Sequence, residues 1–104
     1  MNHEDEQVSF LTIIAGRKQK DALLTALLDV GIHLITITYG RGTAKTGYLR
    51  NALGLVTEDK KVIISCMAPY AKADAALKML ADKFHFEDLN TGIAFTVPIE
   101  AVSY

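Results

Sequence analysis

Two short glycine-containing segments carry the residue types best suited to holding an anion. The first is Gly40-Arg41-Gly42, with Lys45 close behind. Glycines let backbone N–H groups turn toward a negative charge, and Arg41 adds a fixed positive one. The second is Asn90-Thr91-Gly92, which by itself is a good turn sequence. A two-glycine spacing also fits a plain turn needing positive φ, so both readings stay open. Thr36 and Thr38, just upstream, offer hydroxyls to a ligand, although β-branched residues are also ordinary strand material.

Catalytic and metal chemistry find little support. Asp21, Asp29, Asp82 and Asp88 show no paired arrangement for acid–base work. No nucleophile stands with a base, so no catalytic residue is assigned. His33 and His85 are isolated from any second ligand, and a metal site needs a cluster. The single cysteine, Cys66, sits inside an apolar run and reads as a small buried hydrophobe. Arg17, Lys18 and Lys20 read as a solvated helix start, poorly placed for the helix dipole.

The chain's 104 residues make one domain. Residues 1–6 read as a disordered polar tail, and residues 7–104 as the folded unit. Eleven basic and twelve acidic residues leave a net charge of -1, which calls for neither nucleic acid nor an anionic membrane. No secretory signal and no apolar run of about 18 residues is present, so the expected location is the cytoplasm, with no membrane insertion. Half the residues are hydrophobic, a surplus that points to surface buried against other chains.

Six elements must position these residues. Gln7–Ile14 reads as a strand buried on both sides. A helix spans about Lys18–Val30, with Leu23, Leu24, Leu27, Leu28 and Val30 as its apolar stripe and Gly31 as its cap. Ile32–Tyr39 forms a second strand, in which Ile35 and Ile37 alternate with Thr36 and Thr38. A polar loop from Gly40 to about Asp59 follows, far longer than the usual roughly 4–6 residues. Lys61–Ala68 is a third strand, ended by Pro69. Ala71–Phe84 is a second helix, and Gly92–Pro98 a fourth strand.

This β-α-β-β-α-β order predicts an α+β, ferredoxin-like fold. It has a four-stranded antiparallel sheet, two helices on one face and a long loop between strands 2 and 3. The helix-facing set is read as Leu11/Ile13, Ile35/Ile37, Val62/Ile64/Cys66 and Ile93/Phe95/Val97. Phe10/Thr12/Ile14, Leu34/Thr36/Thr38, Ile63/Ser65/Met67 and Ala94/Thr96 fall on the other face. That second face is too apolar for open water and implies a closed homo-oligomer.

From about Val8 to Val102 the chain resembles the P-II signalling proteins. Phe10-Leu11-Thr12-Ile13-Ile14 and Ala26–Ile32 resemble that family's first strand and helix. Thr36-Ile37-Thr38-Tyr39-Gly40-Arg41-Gly42 is similar to the strand and Gly-x-Gly opening of its T-loop. Gly92–Val102 is similar to the Gly-Lys-Ile-Phe-x-x-Pro-Val-Glu-x-Val that follows its second phosphate loop. Two departures stand out. Ile93 occupies the place of the phosphate-binding lysine. Tyr104 stands at the first of two expected arginines, and the second has no counterpart. A triphosphate seated in the family's way would lack these cationic partners.

The resemblance implies a homotrimer whose sheets face inward and whose ligand clefts lie between subunits. The T-loop base, Thr36, Thr38, Gly40, Arg41 and Gly42, would approach from one subunit, and Asn90, Thr91 and Gly92 from the next. Lys45 and Arg50 offer replacement cations. Tyr48, Leu49 and Arg50 lie where the family has a Leu-Tyr-Arg, a stretch for docking a partner such as a transporter or metabolic enzyme. The ligand class implied is a small anion, an adenine nucleotide first, with no tightly bound cofactor. A ferredoxin-like module for amino acids or metals, and a ligand-free structural trimer, are the alternatives.

Overall fold

Alternation along Val8–Gly16 makes β1, the strand on which the rest is assembled. Leu11, Ile13 and Ala15 turn one way into full burial, while Phe10 and Ile14 turn the other way. The computed structural model describes residues 7–41, 60–86 and 92–100. β1 passes into a short 3-10 turn, Arg17–Gln19, and then α1, Lys20–Asp29. After it come β2, Ile35–Arg41, and β3, Lys60–Pro69. The chain closes with α2, Tyr70–Phe84, and β4, Gly92–Ile99. The sheet order is β2-β3-β1-β4, antiparallel throughout, which is the ferredoxin-like arrangement.

The core lies between the helices and one sheet face. Leu23, Ala26 and Leu27 of α1 and Ala73, Ala76, Met79 and Leu80 of α2 are buried at helical spacing. All of these but Ala73 form one cluster with Leu11, Ile13, Val62, Ile64 and Cys66 from the central strands. Each fully buried aliphatic side chain contributes about 1.5–3 kcal/mol relative to exposure. Leu28, expected in the α1 stripe, is instead 50% exposed. Its angular position falls past the edge of the contact, and Ala26 takes the buried place.

α1 ends on Gly31, whose φ of +87° satisfies the left-handed cap that its sequence position suggests. The N–H of Gly31 donates to Leu28 and that of Ile32 to Leu27. The Lys72 ammonium then donates to the Gly31 carbonyl at 3.2 Å, tying the end of α1 to the start of α2. β2 begins at Ile35, later than the expected Ile32, because Ile32 closes this cap and is buried there. Pro69 is the last residue of β3, and the next N–H, of Tyr70, donates to Gln7.

One face assignment is corrected by the register. Antiparallel partners share a face. Thr12 pairs with Phe95, Phe10 with Val97 and Ile14 with Ile93. The large residues of β4 therefore lie on the open face, and Gly92, Ala94 and Thr96 face the helices. Phe95 and Val97 are 43% and 48% exposed. The cause is Phe86, just beyond α2, which stacks edge-on with Phe84 and covers Gly92. An aromatic ring already fills the space a large inward β4 residue would need.

The open face thus carries Phe10, Ile14, Ile63, Met67, Ile93, Phe95 and Val97, with no layer over it among the described residues. Among the described residues no helix is long and apolar enough to cross a membrane.

Candidate functional site at the end of the sheet

β1 and β2 run in the same direction, so the end of β1, the end of β2 and the start of β3 meet at one end of the sheet. There Lys61 pairs with Gly16 on one side and Gly40 on the other, and Arg41 pairs with Lys60. Two glycines flanking one lysine leave its apolar stem unobstructed by neighbouring side chains. Even so, Lys61 is only 5% exposed, and it is engaged with a partner.

Arg17 adds a second, half-buried cation. Its side chain reaches across β3 from the β1–α1 turn to β2. Nη2 donates to the Gly40 carbonyl at 3.2 Å, and the guanidinium carbon lies 4.9 Å from the centre of the Tyr39 ring. A guanidinium over an aromatic face is attracted by the ring quadrupole. Arg17 Nε is buried with no hydrogen-bond partner, as is Gln19 Oε1 in the same turn.

Lys20, on the first turn of α1, meets the same ring. Its ammonium donates to the Tyr39 hydroxyl at 3.1 Å and stands 5.7 Å from the ring centre. It is 3.6 Å from Asp21 Oδ1, whose side chain is nearly fully exposed. The Tyr39 hydroxyl bond, charge interaction with Tyr39 and then Asp21 hold Lys20 above the ordinary ammonium value. The group is open to water, so this shift carries no stability of note.

Arg17 and Lys20 thus gather around Tyr39 on the helix side of this end of the sheet, with Asp21 beside Lys20, while Lys61 belongs to the other face and is engaged with its own partner. Fixed positive charge concentrated in a confined corner suits an anion.

The sequence-predicted residues divide by position. Gly40 and Thr38 lie at this end on β2, and Arg41 closes the strand. Gly40 sits in regular strand geometry, has no positive φ, and a side-chain carbon added there would meet nothing within 4 Å. A turn requirement therefore does not explain it. Thr36 lies four residues earlier, about 13 Å away along the strand. With Phe10, Leu34, Ser65, Cys66 and Met67 it lines a shallow hollow of about 300 Å³. Gly92 is at the same end of the sheet but on the opposite edge, with β3 and β1 between it and Gly40. That separation is about 14 Å at the usual strand spacing. Gly42, Lys45, Tyr48, Leu49, Arg50, Asn90 and Thr91 lie outside the described residues.

Sequence reasoning missed Arg17, Lys20 and Tyr39 as one cluster. A signal was present: cations at a helix start oppose the dipole, so their presence asks for another cause.

Cys66 faces the core at 1% exposure, and burial pushes its thiol up to about 11. Such a thiol is a packing residue and a poor nucleophile. His85 holds the left-handed cap of α2 at a φ of 57°, a backbone task.

The family model described as "Nitrogen regulatory protein P-II" matches residues 8–104. Among solved structures, the chain is similar to CPII of Thiomonas intermedia K12 bound to ADP, AMP and acetate. The identity is 16% over 93% of this chain and 90% of that one, with a TM-score of 0.70. A PII-like signaling protein of Thermus thermophilus gives 17% identity over 89% and 86%, at a TM-score of 0.68. Arabidopsis thaliana PII bound to citrate gives 16% over 89% and 78%, at 0.64. A comparison with curated proteins finds no match.

Proposed function

The chain belongs to the nitrogen regulatory protein P-II family, and we propose that it is a non-catalytic sensor of a small anion that acts as a homotrimer. One observation carries this reading. The cationic end of β2 and the Gly92 end of β4 lie on opposite edges of one sheet, about 14 Å apart. A single chain offers half a cleft at each edge. A ring of identical chains brings the β2 edge of one copy to the β4 edge of the next and completes the site. The exposed Phe95 and Val97 support such an assembly, because the open face they belong to is costly to leave in water.

An adenine nucleotide is the first ligand class to test. The Thiomonas structure, bound to ADP and AMP, supports this choice by fold likeness. In this chain Ile93 stands on the open face beside Ile14, so no cation is supplied from that place on β4. Positive charge comes instead from the β2 side, which favours a ligand with fewer phosphates than ATP. The sensed state would pass to a partner protein, a transporter or metabolic enzyme in the cytoplasm, through the 40–60 loop with Tyr48, Leu49 and Arg50. Such coupling requires that the ligand bind one loop state better than another.

Calorimetry with AMP, ADP and ATP, together with sedimentation, tests the proposal. The expected outcome is heat of binding and a particle of three chains. A single-chain particle at micromolar concentration, or no heat at millimolar nucleotide, overturns it. Thermal shift with amino acids and divalent ions tests the alternative module in the same samples.

A further inference from the structure

Arg17 adds nothing to the hydrophobic core, yet it is half-buried across β3 and bonded to the Gly40 carbonyl beside the candidate anion site. Its fork has five N–H donors. One is engaged by a neutral carbonyl, and Nε is sealed from water with no partner. No carboxylate among the described residues pairs with it. A guanidinium so placed has not reached its strongest arrangement, which is a bidentate pair with an oxyanion. The Tyr39 ring keeps it at the site while leaving it charged, and Lys20, on the same ring, supplies a second cation.

We propose that Arg17 is an anion-binding residue that changes partner when the anion arrives. In the empty site it holds the Gly40 carbonyl. When a phosphate or carboxylate oxyanion enters beside Gly40, Arg17 turns its Nε–Nη edge to the anion, and the Gly40 carbonyl is released. Lys20 stays on the Tyr39 hydroxyl and steadies the ring. The trigger is a swap between a weak neutral acceptor and a strong charged one, so the two states differ in the affinity any coupling needs. The inference rests on the sensor reading in taking this oxyanion to belong to the sensed ligand.

The test follows two atoms of the full chain by nuclear magnetic resonance: Arg17 Nε–H and the Gly40 carbonyl carbon. The probes are inorganic phosphate, acetate and ADP, which separate the two oxyanion types and free anions from a nucleotide. The expected result is that both signals move together on titration, with the same midpoint. Arg17→Lys, which keeps the charge but lacks the fork, weakens the effective probe about tenfold and leaves the Gly40 signal still. Tyr39→Phe, which keeps the ring, still shows the swap. Signals unmoved at saturating probe, or an unchanged affinity in Arg17→Lys, overturn the inference. If ADP binds by calorimetry without moving Gly40, the sensor reading stands and the role of Arg17 falls. If inorganic phosphate moves both atoms while no nucleotide binds, the role of Arg17 stands and the nucleotide reading falls.

Discussion

Gly92→Ala should destabilise this protein through one neighbour, the Phe86 ring. A methyl at position 92 would stand 2.7, 2.9 and 3.0 Å from three ring carbons, where ordinary contacts begin at 3.4 Å. Gly92 is buried, pairs with Ala15 and has no positive φ, so backbone freedom is not the issue. Phe86 is held from both sides, by its N–H bond to Leu80 and by the edge contact with Phe84. It has little room to retreat. Overpacking of this kind costs about 1–3 kcal/mol. In urea, that lowers the midpoint by roughly 1 M for a domain this size. The assay is urea unfolding at a fixed protomer concentration, since assembly adds to apparent stability. Gly40→Ala is the control, because nothing lies within 4 Å of the added carbon. It should be neutral or stabilise slightly, by up to about 1 kcal/mol through the unfolded chain. The decisive comparison is a double-mutant cycle with Phe86→Ala. Removing the ring makes room for the methyl, so Gly92→Ala should cost almost nothing in that background, a coupling of about 1–3 kcal/mol. If the penalty persists without the ring, the packing account of Gly92 is wrong.

Gly31→Ala should lose about 1–2 kcal/mol, because residue 31 is held at a φ of +87°; an unchanged melting curve would count against the cap. Cys66 should resist alkylation in the folded protein near pH 8. Its folded thiol ionises near 11 and its unfolded one near 9.0, so the contribution to stability is intact below 9, falls as pH rises between the two, and is gone above 11. Urea midpoints from pH 8 to 11 check this against Cys66→Ala, whose curve should lack that component. Phe95→Asp places a charge on the apolar open face and should turn the assembled particle into single chains that keep their far-ultraviolet spectrum; sedimentation at micromolar concentration reads the outcome.

The element order was legible in the sequence because each helix and strand carries its own period. Leu23, Leu27, Ala73, Ala76 and Leu80 repeat at helical spacing, and Ile35/Ile37 alternate with Thr36/Thr38. Gly31 and Pro69 mark ends for local steric reasons, and the structure uses both there. From that order the ferredoxin-like sheet follows, and with it the sheet end at which β2 stops and β3 begins. Gly40 was singled out for its glycine spacing, and the structure shows it as a regular strand residue at that sheet end.

What tertiary structure alone decided involves contacts between distant parts of the chain. In β4 the large apolar residues Ile93, Phe95 and Val97 alternate with Gly92, Ala94 and Thr96, which suggested that the large set faces inward. Phe86 decides otherwise by filling the space over Gly92. Arg17 and Gly40 are 23 residues apart, and only the β2-β3-β1 order brings a side chain from one turn onto the carbonyl of another strand. Periodicity is a local property and reports which side of an element is apolar. Which residue lies across from it depends on strand register, and register is settled by the packing of the whole sheet against its helices.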